Sequence, residues 1–166
     1  RIPHKKIYLD MISTKVTSVE RIKNLNRLSE IADVHIFSAS DEKLCHSCKW
    51  HGYVDYTSEM PIIFRKSKIN INTTLKSIKT GIPLRCTDVM GAGGFLLTNY
   101  QKDLCRYFEA GKDFEIYESQ QDLLIKTQYY LEHEQERMKI AINGWKKIQR
   151  FFGNDLRMRE ILQYLW

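Results

Sequence analysis

The sequence predicts an α/β fold: a doubly wound, mostly parallel sheet with helices on both faces and a helical C-terminus. Three observations carry that reading. Short apolar runs recur at residues 34–38, 69–73 and 95–98, with helical patterns between them. Strands that alternate with helices imply βαβ units, whose crossovers cover both faces of a parallel sheet. Beyond residue 119 the pattern is helical, and no internal repeat or low-complexity stretch interrupts it.

Taken in order, residues 7–12 form an apolar run suited to a buried first strand, and an amphipathic helix follows over 17–32. Thr17 or Ser18 caps that helix. Val19, Ile22, Leu25, Leu28 and Ile31 recur at spacings of three, with Arg21, Lys23 and Arg27 opposite. Residues 34–38 make a second strand and 52–56 a short third. A helix over 60–67 has Pro61 near its start, where the fixed φ suits the first turn. The strand at 69–73 leads to the loop before Thr80. Then come a helix from Pro83, a strand at 95–98, a brief helix over 103–108 and a last strand at 114–117. Ser119 with Asp122 gives a capping-box-like start to a helix over 123–130, and further helices cover 134–151 and 155–165.

With 166 residues, 43% hydrophobic and 28% charged, the chain suits one soluble domain with a real core rather than two. No apolar run approaches the roughly 20 residues of a bilayer span, and no signal-peptide pattern opens the chain. Arg1-Ile2-Pro3 is an unusual start, so the chain is expected to be a piece of a longer one. Lys and Arg number 26 against 20 Asp and Glu, a formal +6, which suits a phosphate-bearing ligand. The basic residues are scattered, without a long run or an RNA-binding aromatic signature, which argues against nucleic acid.

Cys45-His46-Ser47-Cys48, with His51 close behind, has one half of a zinc spacing, but the second ligand pair is missing. The segment reads as a loop of a cytoplasmic protein with reduced thiols and no metal. His51 has no visible acidic partner and reads as structural or exposed. The aromatic residues Trp145, Phe151, Phe152, Tyr164 and Trp166 read as helical core, part of which would drive self-association if left uncovered.

The stretch from Thr80 to Asn99 is the richest in chemistry. Pro83 is pre-set for a first helical turn, whose free amides and dipole form an anion site. Arg85 adds a positive charge, and Asp88, one turn on, is an acceptor suited to a vicinal diol such as a ribose. Gly91-Ala92-Gly93-Gly94 follows a helix and precedes a strand, so it reads as a helix cap and close turn rather than a dinucleotide fingerprint. Ligands of doubly wound sheets bind at the carboxyl ends of strands where the order reverses. The expected crevice brings residues 13–15 towards 73–85, with Lys15 and Arg21 balancing a diphosphate and Asn72, Thr73 and Thr74 contacting sugar or phosphate.

Several ordered motifs then carry a family resemblance: Gly52-Tyr53-Val54-Asp55-Tyr56-x-x-Glu59-Met60-Pro61, Lys68-Ile69-Asn70-Ile71-Asn72, Gly81-Ile82-Pro83-Leu84-Arg85 and the run from Gly91 to Asn99. Over nearly its whole length the chain resembles the CgeB-like glycosyltransferases, and within them the C-terminal, donor-binding half of a GT-B enzyme. The resemblance implies a Rossmann-like domain that binds a nucleotide-diphosphate sugar without a metal, and an N-terminal partner domain that takes most of the acceptor. Related group 1 enzymes carry two Glu residues separated by seven. Asp88 resembles the second, a ribose carboxylate, whereas Thr80, followed by Gly81, stands where the first would serve the donor sugar. Gly81, Ile82 and Leu84 join Arg85 around the phosphates, and Gly52, Tyr53 and Val54, with Met60 packed nearby, lie by the base.

The expected reaction is sugar transfer to an acceptor hydroxyl, the leaving diphosphate being stabilised by helix-end amides and Arg85. No residue is assigned as the catalytic base, which is expected in the partner domain, so this chain alone should bind nucleotide and turn over little. The alternative is a non-catalytic nucleotide-binding or protein-interaction domain of the same fold. A receiver-like domain, suggested by Asp10, lacks an evident acidic cluster for magnesium.

Overall fold

The computed structural model describes residues 4–39, 45, 47–78 and 80–152. The elements are α1 (His4–Leu28), β1 (His35–Ile36), β2 (Lys49–Trp50), α2 (Met60–Lys66), β3 (Asn70–Asn72), α3 (Leu84–Gly91), β4 (Leu96–Asn99), α4 (Lys102–Tyr107), β5 (Glu115–Tyr117), α5 (Gln120–Glu132) and α6 (Glu134–Phe152). The named strands pair in parallel, β1 with β2 in one sheet and β3–β4–β5 in another with β4 central.

Successive side chains of a strand point to opposite faces, and around β4 this divides the core in two. Leu96 packs with Phe64, Val89, Met90, Leu104, Phe114 and Ile148. Phe95 and Leu97 pack on the other side with Leu28, Tyr117, Leu123, Tyr130 and Ile140. Helices therefore cover both faces, α2, α3 and α4 on one and α1 and α5 on the other, while α6 contributes to each. The predicted α/β architecture is present.

Its first strand is not. Residues 7–12 lie inside α1, a helix of 25 residues. No glycine or proline falls between His4 and Leu28 to stop it. Tyr8, Met11 and Ile12 are 64%, 64% and 60% exposed, so the run is not buried in a sheet. The predicted third strand is displaced as well. Pairing forms at Lys49–Trp50 and persists only to the Gly52 carbonyl, which accepts from Ser38 N–H at 2.8 Å. After that, the Asp55 side chain draws the chain into a turn.

The helix expected from Thr17 or Ser18 starts instead at His4, so both residues lie inside α1 rather than capping it, while from α2 onwards the predicted elements fall where expected to within a few residues. Ser119 Oγ accepts from Asp122 N–H at 3.1 Å, the predicted cap, and Asp122 Oδ2 accepts at 2.9 Å from Glu118 N–H, one residue before the N-cap. After α3 the chain turns through Gly93 at φ +79°, and at Gly94 a Cβ would lie 2.5 Å from the Phe64 carbonyl oxygen. These glycines serve a close turn into β4. Cys45 and Cys48 are joined in a disulfide, with Cα atoms 5.4 Å apart, whereas Cys86 and Cys105 are free. The expectation of reduced thiols throughout is corrected for that pair, which the three-residue separation brings within bridging reach. The helix expected over 155–165 lies outside the described residues.

Candidate functional site

The site grows out of the turn before α2. Asp55 Oδ1 accepts from Thr57 N–H at 3.0 Å and Ser58 N–H at 2.7 Å, and from both hydroxyls, at 2.8 and 2.7 Å. Asp55 N–H donates to Glu59 Oε2 at 2.7 Å, and Glu59 N–H donates to the Asp55 backbone carbonyl at 3.2 Å, which closes the turn. The Ser58 hydroxyl and amide, with Thr57, hold the Asp55 carboxyl well below the usual carboxylate range. This turn presents Tyr56, whose hydroxyl donates to Asp88 Oδ2 on α3. That bond pushes the Tyr56 phenol upward, because ionising it would set two negative charges together.

Tyr56, Pro61, Phe64, Thr87 and Asp88 line an open groove of about 320 Å³ between α2 and α3. The Arg85 guanidinium lies over the Phe64 ring at 5.3 Å from its centroid, one turn before Asp88. A cation, a carboxylate and a phenol thus share one side of α3, an arrangement able to hold a ligand with hydroxyls and negative charge. Cys86, on the opposite side of the helix turn, is fully buried. Burial pushes its thiol up to about 12, which removes it as a nucleophile at neutral pH.

The carboxyl ends of β3 and β4 form a second polar cluster. Asn72 Nδ2 donates to Thr74 Oγ1 at 2.9 Å and Thr98 Oγ1 at 3.0 Å, and Thr74 N–H donates to Asn99 Oδ1 at 2.8 Å. Thr73 Oγ1 is 2.8 Å from the Tyr117 hydroxyl. These expected contact residues are engaged with one another. Arg21 reaches the same loop from α1, its Nη2 donating to the Thr73 carbonyl at 2.9 Å, while Glu20 pairs with Lys76 at 2.6 Å. The loop after Asn72 is thus met by Thr17, Glu20 and Arg21 rather than by the expected residues 13–15, and by the side of a helix rather than by a strand end. Lys15, nearer the start of α1, is exposed.

At the start of α3, Pro83 is the N-cap residue, leaving the Leu84 and Arg85 amides without partners of their own turn. Gly81 sits at φ +91°, and its amide donates to Asp103 Oδ2 on α4 at 2.6 Å. Ile82 packs against the core, and Thr80 and Leu84 are exposed. Gly52 adopts φ +74° and Tyr53 is 73% exposed, with Val54 half-buried and Met60 packed against the core cluster that contains Phe64. His51 is exposed, its Nε2 2.8 Å from His35 Nδ1 and its ring stacked on Phe37.

Sequence reasoning missed two site residues. Tyr56 reads as a strand residue, although Asp55 followed by Thr57, Ser58 and Glu59 is a turn signal. Asp103 reads only as a helix start, and nothing local marks its bond to Gly81. Among the described residues no group of three or more His, Cys, Asp or Glu is placed to hold a metal ion. Among them, too, no helix is long and apolar enough to cross a membrane.

A parallel sheet covered on both faces, with a carboxylate-bearing helix and polar loops at the strand ends, defines an α/β domain of the kind found as the C-terminal half of GT-B glycosyltransferases. It superposes on the C-terminal domain of a glycosyl transferase group 1 family protein, LpcC, from Francisella tularensis, with a TM-score of 0.54 and 18% identity. The match covers 65% of this chain and 55% of that one, so the chain spans little more than half the length of the solved domain. The chain belongs to the glycosyl transferase-like family, whose profile matches residues 17–163. Comparison with curated proteins finds no match.

Proposed function

We propose that this domain is the donor-binding half of a glycosyltransferase of the CgeB-like type and that its groove takes a nucleotide-diphosphate sugar. The observation that carries the reading is the placement of Asp88 in an open groove, one turn after Arg85 and opposite a phenol that already occupies it as a hydroxyl ligand would. On this reading the Asp88 carboxylate accepts from the ribose diol. Arg85 and the Leu84 and Arg85 amides face the diphosphate. Gly52, Tyr53 and Val54 lie towards the base, and Asn72, Thr73 and Thr74 shape the loop beyond it.

Transfer breaks the bond between the anomeric carbon and the diphosphate oxygen and joins that carbon to an acceptor hydroxyl, whose proton passes to a base. In this chain the work falls on the leaving group. A helix N-terminus is worth about 0.3–1 kcal/mol to an anion and Arg85 adds to it, with no metal required. Asp103 sets a condition, since its carboxylate already holds the Gly81 amide and repels a phosphate that comes too close. The diphosphate therefore sits on the Arg85 side. The base and most of the acceptor site belong to an N-terminal domain beyond this chain. The reading keeps a cytoplasmic setting for the domain.

Calorimetric titration with UDP, GDP, ADP and dTDP tests the reading. One nucleotide should bind, and Asp88→Ala and Arg85→Ala should each weaken it. A folded protein that binds none of the four favours the non-catalytic interaction domain instead, for which the Thr80 position, without a carboxylate, is the specific support. Sugar transfer by this chain alone would show that the base does not lie elsewhere.

A further inference from the structure

We propose that the solvent face of α6 docks on an anionic phospholipid surface. At about 100° per residue, Met138, Ile142 and Trp145 fall on one stripe of the helix, and they are 52%, 45% and 42% exposed. Ile140, Ala141, Gly144 and Ile148 on the opposite side are buried, so the fold fixes which way the stripe points. Lys139, Lys146 and Arg150 form a second exposed stripe beside it. From Met138 to Phe152 there are four Lys or Arg residues and no Asp or Glu.

The basic stripe continues into an open groove of about 300 Å³ whose lining includes Lys112, Asn143, Lys146, Lys147 and Arg150. Lys147 is engaged with the buried Asp113 at 2.6 Å and Lys112 with Glu109 at 2.9 Å. The cations offered outward are thus Lys139, Lys146 and Arg150. The Arg150 guanidinium lies over the Phe151 ring at 5.1 Å, and Phe151 is itself exposed.

The two stripes together select the partner. A membrane interface takes Trp, Ile and Met to the depth of the acyl boundary while Lys and Arg reach the phosphates beside them. A nucleic acid would use the cations but gain nothing from the apolar stripe. A second copy of the chain, docked face to face, would set like charges against each other. Because the helix is already formed and anchored, docking carries no cost of ordering a segment.

Vesicle flotation with the full chain tests this, comparing phosphatidylcholine alone with an equal mixture of phosphatidylcholine and phosphatidylserine. The protein should float only with the anionic vesicles, less so as salt rises, with a blue shift of tryptophan emission. Lys139→Gln, Lys146→Gln and Arg150→Gln combined should weaken partitioning by about a hundredfold, about fivefold per charge. Trp145→Ser should weaken it by about tenfold and remove most of the shift. All four side chains are exposed, and matching circular dichroism and melting curves check that the variants fold. Absence of binding to anionic vesicles overturns the proposal, as does binding that the triple variant retains. Binding to duplex DNA that the triple variant loses and Trp145→Ser keeps would assign the face to nucleic acid and also overturn it.

Discussion

Tyr56 and Asp88, 32 residues apart, are joined by a hydrogen bond from the phenol to the carboxylate across the groove between α2 and α3. On the proposed donor-site reading, the phenol occupies the acceptor that a ribose would use, and binding exchanges one hydroxyl for another. Tyr56→Phe removes the competitor, and nucleoside diphosphate affinity measured by calorimetry should rise by about fivefold, the worth of roughly one net hydrogen bond. A fall in affinity would mean that the phenol holds the ligand directly.

Asp55 gives a pH signature with a definite sign. Its carboxyl is depressed in the folded protein by Ser58 and Thr57. The stability it contributes is present above the unfolded value of about 4 and is lost as pH falls below that towards the folded pKa. The difference in melting temperature between the parent and Asp55→Ala should be largest near neutrality and shrink as pH drops below about 4.

Two helical glycines should respond to alanine in opposite directions. At Gly144 a Cβ would lie 2.3 Å from the Asp113 carbonyl oxygen, a backbone atom that cannot swing aside. Gly144→Ala should cost about 2 kcal/mol or more in urea denaturation despite the better helix propensity. At Gly91 the nearest atom would be Ile148 Cγ2 at 3.6 Å, an ordinary contact. Gly91→Ala should be neutral or stabilising by up to about 1 kcal/mol.

Asn72 separates a structural role from a binding one. Its side-chain amide bridges the Thr74 and Thr98 hydroxyls at 2.9 and 3.0 Å. Asn72→Ala strands these partners and should lower stability by about 2 kcal/mol in a denaturant series. Unchanged stability with lost nucleotide affinity would assign the amide to the ligand instead.

The cysteines should differ in reactivity. Burial raises the thiols of both Cys86 and Cys105, but Cys86 is fully enclosed and reaches about 12. Without reductant, iodoacetamide at about pH 8 should label Cys105 before Cys86 in the folded protein. Reduction should add two labels, at Cys45 and Cys48. Mass spectrometry of peptides reads both outcomes.

The part of the fold from α2 onwards was legible because breakers and caps mark it: Pro61, Pro83, the glycines after α3 and the Ser119–Asp122 pair. Residues 7–12 were misread because a short apolar run fits strand and helix equally, and only the absence of breakers up to Leu28 decides between them. Residues 52–56 were misread because the Asp55 side chain competes for backbone amides that a strand would use. In the site, Asp88 and Arg85 could be found from their spacing within one helix. The bonds from Tyr56 to Asp88 and from Asp103 to Gly81 join different elements, and local pattern carries no record of them.

Helix α6 lies against α3 on one side, with Gly144 close to Met90 and Ile148 beside Gly91, and turns Trp145 outward on the other. Since α3 carries Arg85 and Asp88, the close contacts at Gly144 and Gly91 fix the distance at which α6 backs the helix that lines the groove. Glycine at 144 thus sets how deeply α6 is seated, because any side chain there would push the helix off the Asp113 carbonyl and Met90.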